Sequence, residues 1–183
     1  MKIVVAITAA SGAIYARQLI ERLVVDERVE RIALIYSANA RAVVAHEGVE
    51  IPSSPKICEY DNEDMFASVA SGSARWNAMV VVPSSVGTVG RVASGVSQTL
   101  IERTADVMLK ERRRLIFVVR ETPYSLIHLR NMTTLTEAGA IVLPATPSFY
   151  SHPQDIESLC LTVTERVLSL LGIEGDYYSW EDR

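Results

Sequence analysis

The chain has 183 residues, 49% of them hydrophobic and 22% charged, with a formal net charge of -4. That length fits one domain spanning residues 1–183 with an ample core, and the acidic balance argues against a general nucleic-acid surface. Cys58 and Cys160 lie too far apart for a zinc site and are too few for a disulfide framework, which suits a reducing cytoplasm.

The first apolar run, Ile3 to Thr8, has strand length and is too short to span a membrane, so neither a membrane anchor nor a targeting segment is expected. It breaks into the small residues Ala9, Ala10, Ser11 and Gly12. An amphipathic stripe of Ile14, Leu19, Ile20 and Leu23 then predicts a helix. Small side chains before a helix let backbone N–H groups approach an anion, and the helix dipole favours negative charge there. Gly12 is a lone glycine where the dinucleotide fingerprint needs three, so a mononucleotide phosphate is the better match. An ordinary tight strand-to-helix turn explains the segment about equally well.

Further apolar runs at Ile32 to Tyr36, Ala78 to Val82, Leu115 to Val119 and Ala140 to Leu143 read as strands buried on both faces of a parallel sheet. Between Ile51 and Trp76, turn-forming PSSP and DNED predict a loop or short helix. Val89, Val92 and Val96 begin a helical stripe that Leu100, Ile101, Val107 and Leu109 continue after Gly95. A last helix carries Ile156, Leu159, Val163, Val167, Leu168 and Leu171 and stops near Gly172. The aromatic, acidic tail GDYYSWED reads as a docking segment or as disorder.

Strand and helix alternation implies a doubly wound α/β fold that collects ligands at the carboxyl ends of its strands. Ser11, Ser37, Ser84, Ser85 and Glu121 all fall just past predicted strands. Any one serine is more often a helix cap than a ligand contact. The segment Ser85, Val86, Gly87 and Thr88 offers hydroxyls and an approachable backbone to a flavin or nucleotide. Lys110, Arg120, Glu121 and Arg166 suggest an anionic substrate and acid/base work if the fold gathers them, although each alone is more often a solvated surface charge. Tyr150 is a candidate phenolic donor, with core packing the alternative. His46, His128 and His152 lack metal-ligand spacing and are assigned to capping or packing, and Glu47 alone is merely an exposed carboxylate.

Taken in order, TAASGA, SGS, PSSVGT, ERTADVMLKERR, RETP, HLRNM and LPATPSFYSHP resemble the motifs of the UbiX-type flavin prenyltransferases over nearly the whole chain. Two positions depart from that pattern: Ala9 replaces a glycine and so requires negative φ, and Ser84 replaces a cysteine. The resemblance implies a Rossmann-like or flavodoxin-like subunit that transfers a dimethylallyl group from dimethylallyl monophosphate to N5 and then C6 of reduced FMN, without a metal. It also implies delivery of prenylated FMN to a UbiD-type decarboxylase. The site would lie between subunits of a trimer-based homo-oligomer, commonly a dodecamer.

By the same resemblance, Ala9, Ala10, Ser11, Ser37, Ser85, Val86, Gly87, Thr88 and Arg120 would meet FMN. Lys110, Arg120, Tyr150 and Arg166 would bind the prenyl phosphate. Ser11, Glu47, Lys110 and Glu121 would carry the catalytic chemistry, the two glutamates handling protons. Two other readings remain: an FMN-dependent cysteine-type decarboxylase, disfavoured because Asn131-Met132 sits in HLRNM, and a non-catalytic FMN carrier.

Overall fold

The computed structural model describes residues 1–173 together with Gly175 and Tyr177. In chain order the elements are β1 (Lys2–Ile7), α1 (Ala13–Val25), β2 (Arg31–Tyr36), α2 (Ala40–His46), β3 (Ile57–Tyr60), β4 (Ala78–Ser84), α3 (Val86–Ala93), α4 (Leu100–Lys110), β5 (Arg114–Val119), α5 (Leu126–Glu137), β6 (Ile141–Pro144) and α6 (Ile156–Leu171). Two single 3-10 turns, Ser68–Ala70 and Gly72–Ala74, precede β4.

Among the described residues the six strands form one parallel sheet in the order β3-β2-β1-β4-β5-β6. This is the Rossmann order, in which the chain winds outward from β1 and then reverses at β4. The central strands read as unbroken apolar runs because both faces are covered: Ile3 through Ile7 and Leu115 through Val118 are fully buried. One apolar layer lies where α1 and α6 pack together, around Leu19, Leu23, Val163 and Leu168. The other, around Trp76, Met79, Leu100, Met108 and Phe117, is covered by α3, α4 and α5. Chain reversal after β1 and after β4 leaves a crevice between their carboxyl ends, the place where such sheets take ligands.

The region from Ile51 to Trp76 differs from the loop or short helix that its turn residues predict. It contains β3, which pairs with β2 alone and exposes Cys58 and Glu59, so it carries no apolar run. Beyond β3, Asn62 holds the start of α4: its carbonyl accepts from the Leu100 N–H at 2.7 Å and its Oδ1 from the Ile101 N–H at 3.1 Å. The stripe expected to run through Gly95 is instead two helices. Gly95 takes φ +72° after α3 has ended, and α4 starts afresh at Leu100. Gly172 stops α6 in the left-handed conformation, as expected. Of the tail, Tyr177 packs against the layer under α1 and α6, whereas Asp176 and residues 178–183 lie outside the described residues.

Candidate active site

The loop after β1 is held from both sides. Gly12 takes φ +111°, and a Cβ there would meet the Tyr15 ring at 2.9 Å, so glycine is required. Ala9 keeps a negative φ, so its replacement of glycine is accommodated. Tyr15 lies beneath this loop with its phenol pushed up to about 12, by burial first and then by Cys160, against the opposing field of Arg120.

The anion cradle expected at the amino end of α1 is filled from within the chain. Glu47, just past α2, accepts from the Gly12 N–H at 2.9 Å and the Ala13 N–H at 2.7 Å. Burial raises its pKa, but the Ser11 hydroxyl, the two backbone donors and the field of Arg120 outweigh that and hold the carboxyl below the usual range. Glu47 is therefore an ionised helix cap and not the solvated carboxylate its sequence context suggests. Ser11 and Ala9 remain exposed beside it, with Ala10 half-buried.

Across the crevice, β4 ends on the cis-prolyl pair Val82-Pro83 and the buried Ser84. Ser85 caps α3 with its hydroxyl, which accepts from the Thr88 N–H at 3.3 Å and lies 3.1 Å from the Thr88 hydroxyl. Two backbone donors of that first turn, on Val86 and Gly87, have no acceptor within their own helix. The open anion-binding helix end thus belongs to α3, while that of α1 is closed. The two loops are joined by a residue the sequence reading passes over. Thr8 is buried; its hydroxyl donates to the Pro83 carbonyl at 2.8 Å and accepts from the Ser85 N–H at 2.8 Å.

A buried carboxylate braces α3 from behind. Glu102 accepts from the N–H groups of Gln98 at 2.9 Å and Thr99 at 3.1 Å and pairs with Arg91, whose Nη2 donates to the Thr88 hydroxyl at 3.3 Å. Burial raises its pKa, but Arg91 and the two amides outweigh that and keep it low. The T-x-x-E spacing of Thr99 and Glu102 is the signal that could have revealed this cap.

Ser37 closes the third side, its N–H bonded to the Ile7 carbonyl at 2.9 Å past the end of β2. Arg120 follows β5 with its N–H on the Ser84 carbonyl at 3.1 Å, and its guanidinium acts on both Glu47 and Tyr15. Half-buried Glu121 accepts from the Thr122 N–H at 2.9 Å. Tyr150 and its neighbour Phe149 are exposed in the loop after β6. One chain thus gathers Ser11, Ser37, Glu47, Ser85, Thr88, Arg120 and Glu121 at the carboxyl end of the sheet.

Lys110 and Arg166 do not join them within one chain. Lys110 ends α4 four residues before β5 begins, at the amino end of the sheet, and bonds Glu111 at 2.6 Å. Arg166 is exposed well down α6 from its start at Ile156. The histidine assignments agree with the structure for His128, whose Nδ1 accepts from the Ser125 N–H at 3.2 Å at the start of α5. Met132 is buried in the core, which places the Asn131-Met132 pair on a packed helix. Among the described residues no cluster of His, Cys, Asp or Glu could hold a metal ion, and no helix is long and apolar enough to cross a membrane.

A Rossmann-ordered sheet with hydroxyls, an open helix end and a cation at its switch point defines a mononucleotide-binding α/β protein, and residues 1–168 match the family model described as Flavoprotein. The chain is 42% identical over 181 residues to the flavin prenyltransferase UbiX of Methanocaldococcus jannaschii, covering 97% of each chain. It is 42% identical to that of Pseudomonas aeruginosa, covering 96% of this chain and 91% of the relative. The crystal structure of AnUbiX in complex with FMN and dimethylallyl pyrophosphate superposes with a TM-score of 0.88 at 41% identity, over 98% of this chain and 96% of that one. A dodecameric FMN-dependent UbiX-like decarboxylase from Escherichia coli gives 0.90 at 34% identity, over 98% and 99%. The chain belongs to the UbiX family of flavin prenyltransferases.

Proposed function

We propose that this enzyme transfers the dimethylallyl group of dimethylallyl monophosphate to N5 and then C6 of reduced FMN, and that the prenylated FMN is passed to a UbiD-type decarboxylase. The observation that carries this reading is the paired placement of Glu47 and Arg120 beside Ser11 at the switch point. A cation there stabilises charge growing on a departing phosphate, and a carboxylate held ionised can take a proton.

FMN suits the donor set. Its phosphate is matched by the free N–H groups of Val86 and Gly87 and by the hydroxyls of Ser37, Ser85 and Thr88. Ala9, Ala10 and Ser11 present a small-residue wall to the ring system, and Arg120 reaches both substrates. In the transfer, the C–O bond of the prenyl phosphate breaks as the bond to N5 forms, and phosphate leaves with both electrons. Glu47 and Glu121 handle the protons: one leaves N5 as it is alkylated, and at ring closure one adds to the prenyl double bond, whose far carbon then bonds to C6 as C6 releases its own proton, with Ser11 linking Glu47 to the flavin edge.

Lys110, Tyr150 and Arg166, together with Arg120, bind the prenyl phosphate. Because Lys110 and Arg166 stand away from the carboxyl end of their own chain, neighbouring copies supply them, and the working unit is a homo-oligomer, a trimer-based dodecamer. That neighbours complete the site also explains why Leu126, Ile127, Leu129 and Phe149 are exposed beside it. A coupled assay tests the proposal. Apo-decarboxylase of the UbiD type should gain activity from the flavin released by this protein, and only when reduced FMN and dimethylallyl monophosphate were both present. No activation, with flavin bound and the decarboxylase competent, would refute the delivery step.

A further inference from the structure

A cavity of about 480 Å³ opens at the other end of the molecule, beside the first residues of β4 and β5. Arg112, Arg113 and Arg114 all line it, together with Asn77, and no carboxylate does. Arg113 donates through Nη2 to the Gly72 carbonyl at 2.7 Å and pairs with Glu111 at 3.5 Å, while its Nη1 is buried without a hydrogen-bond partner among the described residues. Arg112 and Arg114 make no side-chain hydrogen bond or ion pair among the described residues. Arg112 takes φ +54° as the left-handed residue that ends α4, with its N–H on the Leu109 carbonyl at 3.1 Å and the Arg113 N–H on the Met108 carbonyl at 2.8 Å.

Glu111 partly neutralises Arg113, but Arg112 and Arg114 bring two further guanidinium groups to the same cavity without a counter-charge among the described residues, and like charges so placed repel. A multiply charged anion removes that penalty. Guanidinium forks match the oxygens of a phosphate in pairs, which favours phosphate over a halide or a single carboxylate. We propose that this cavity is a second phosphate-binding site, at the opposite end of the sheet from the candidate active site, taking inorganic phosphate or the phosphate group of a small phosphomonoester.

The experiment is calorimetric titration of inorganic phosphate, at constant ionic strength, into full-length protein saturated with FMN and carrying Arg120→Gln, so that the flavin phosphate occupies its own donors and anion binding elsewhere at the carboxyl end is weakened. Saturable binding is expected, weakened at least tenfold when Arg112→Gln and Arg114→Gln are added, with FMN affinity unchanged by those two substitutions in the otherwise intact protein. Tighter binding of phenyl phosphate would assign the site to phosphomonoesters, and equal binding to the free ion. Arg112→Gly guards against a folding artefact: it should melt no lower than the parent without phosphate, yet gain less from phosphate. Phosphate binding that survives the Arg112 and Arg114 substitutions, or a chloride titration with the same response, would overturn the proposal.

Discussion

Thr8 and Ser85, 77 positions apart, are joined by a 2.8 Å hydrogen bond from the Ser85 N–H to the Thr8 hydroxyl. The same hydroxyl donates to the Pro83 carbonyl, so one buried side chain fixes the loop after β1 against the loop after β4. Thr8→Val keeps the shape and removes the hydroxyl, leaving the Ser85 N–H unsatisfied while the Pro83 carbonyl keeps only the backbone N–H of residue 8 at 3.3 Å. It should cost about 1–3 kcal/mol in denaturant unfolding and weaken FMN binding, while Thr8→Ser retains both. A valine variant with full stability and unchanged flavin affinity would show that the bridge does not position the site.

Glu47 should impose a pH dependence on stability. Its folded-state pKa is lowered, so the unfolded chain binds the proton more readily. Its contribution is therefore complete above the ordinary carboxylate pKa of about 4.3 and is lost as pH falls through the folded value. Glu47→Gln should lower stability by roughly 0.5–2 kcal/mol at neutral pH, as loss of a charged helix cap does. Thermal melts should show the gap between variant and parent closing below about pH 4. A gap that stays constant with pH would mean that the carboxylate charge is not what holds α1.

Glu102 and Arg91 differ in consequence because one is buried and the other half-exposed. Glu102→Ala removes the acceptor for two amides and strands α3 from α4, at a cost of about 2 kcal/mol. Arg91→Ala leaves those amide bonds in place and should cost about 1 kcal/mol or less. Denaturant midpoints of the two variants read the order directly, and equal losses would contradict it.

Complementation checks the sharing of the site between copies. Lys110→Ala and Glu121→Gln should each abolish prenyl transfer while leaving FMN bound. When the two variants are co-assembled, a Glu121 from one chain meets a Lys110 from another, and about a quarter of the sites become intact under random assortment. Recovery of that share of the parent rate is expected. No recovery in verified mixed oligomers would place Lys110 outside the site.

Five of the six strands were legible because the centre of a parallel sheet demands apolar residues on both faces, and Ile3 to Ile7 or Leu115 to Val119 supply them without interruption. β3 was not, since an edge strand with Cys58 and Glu59 in solvent has no such run. The serines at strand ends could be placed from the strands alone. Glu47 could not, because its role depends on α2 delivering it to a helix that begins 34 residues earlier. Thr8 was hidden for a related reason: at the end of a buried run a threonine looks like one more β-branched strand residue. The separation of Lys110 from Arg120 is a property of the folded chain that motif order cannot reveal.

The most direct measurement is anaerobic incubation of the purified protein with reduced FMN and dimethylallyl monophosphate, followed by mass analysis of the released flavin. A flavin heavier by one C5 prenyl unit, absent when Glu121→Gln protein is used, is the predicted result. Tightly bound but unmodified FMN after complete reduction and full substrate saturation would contradict the account and leave a flavin-binding protein without prenyl transfer.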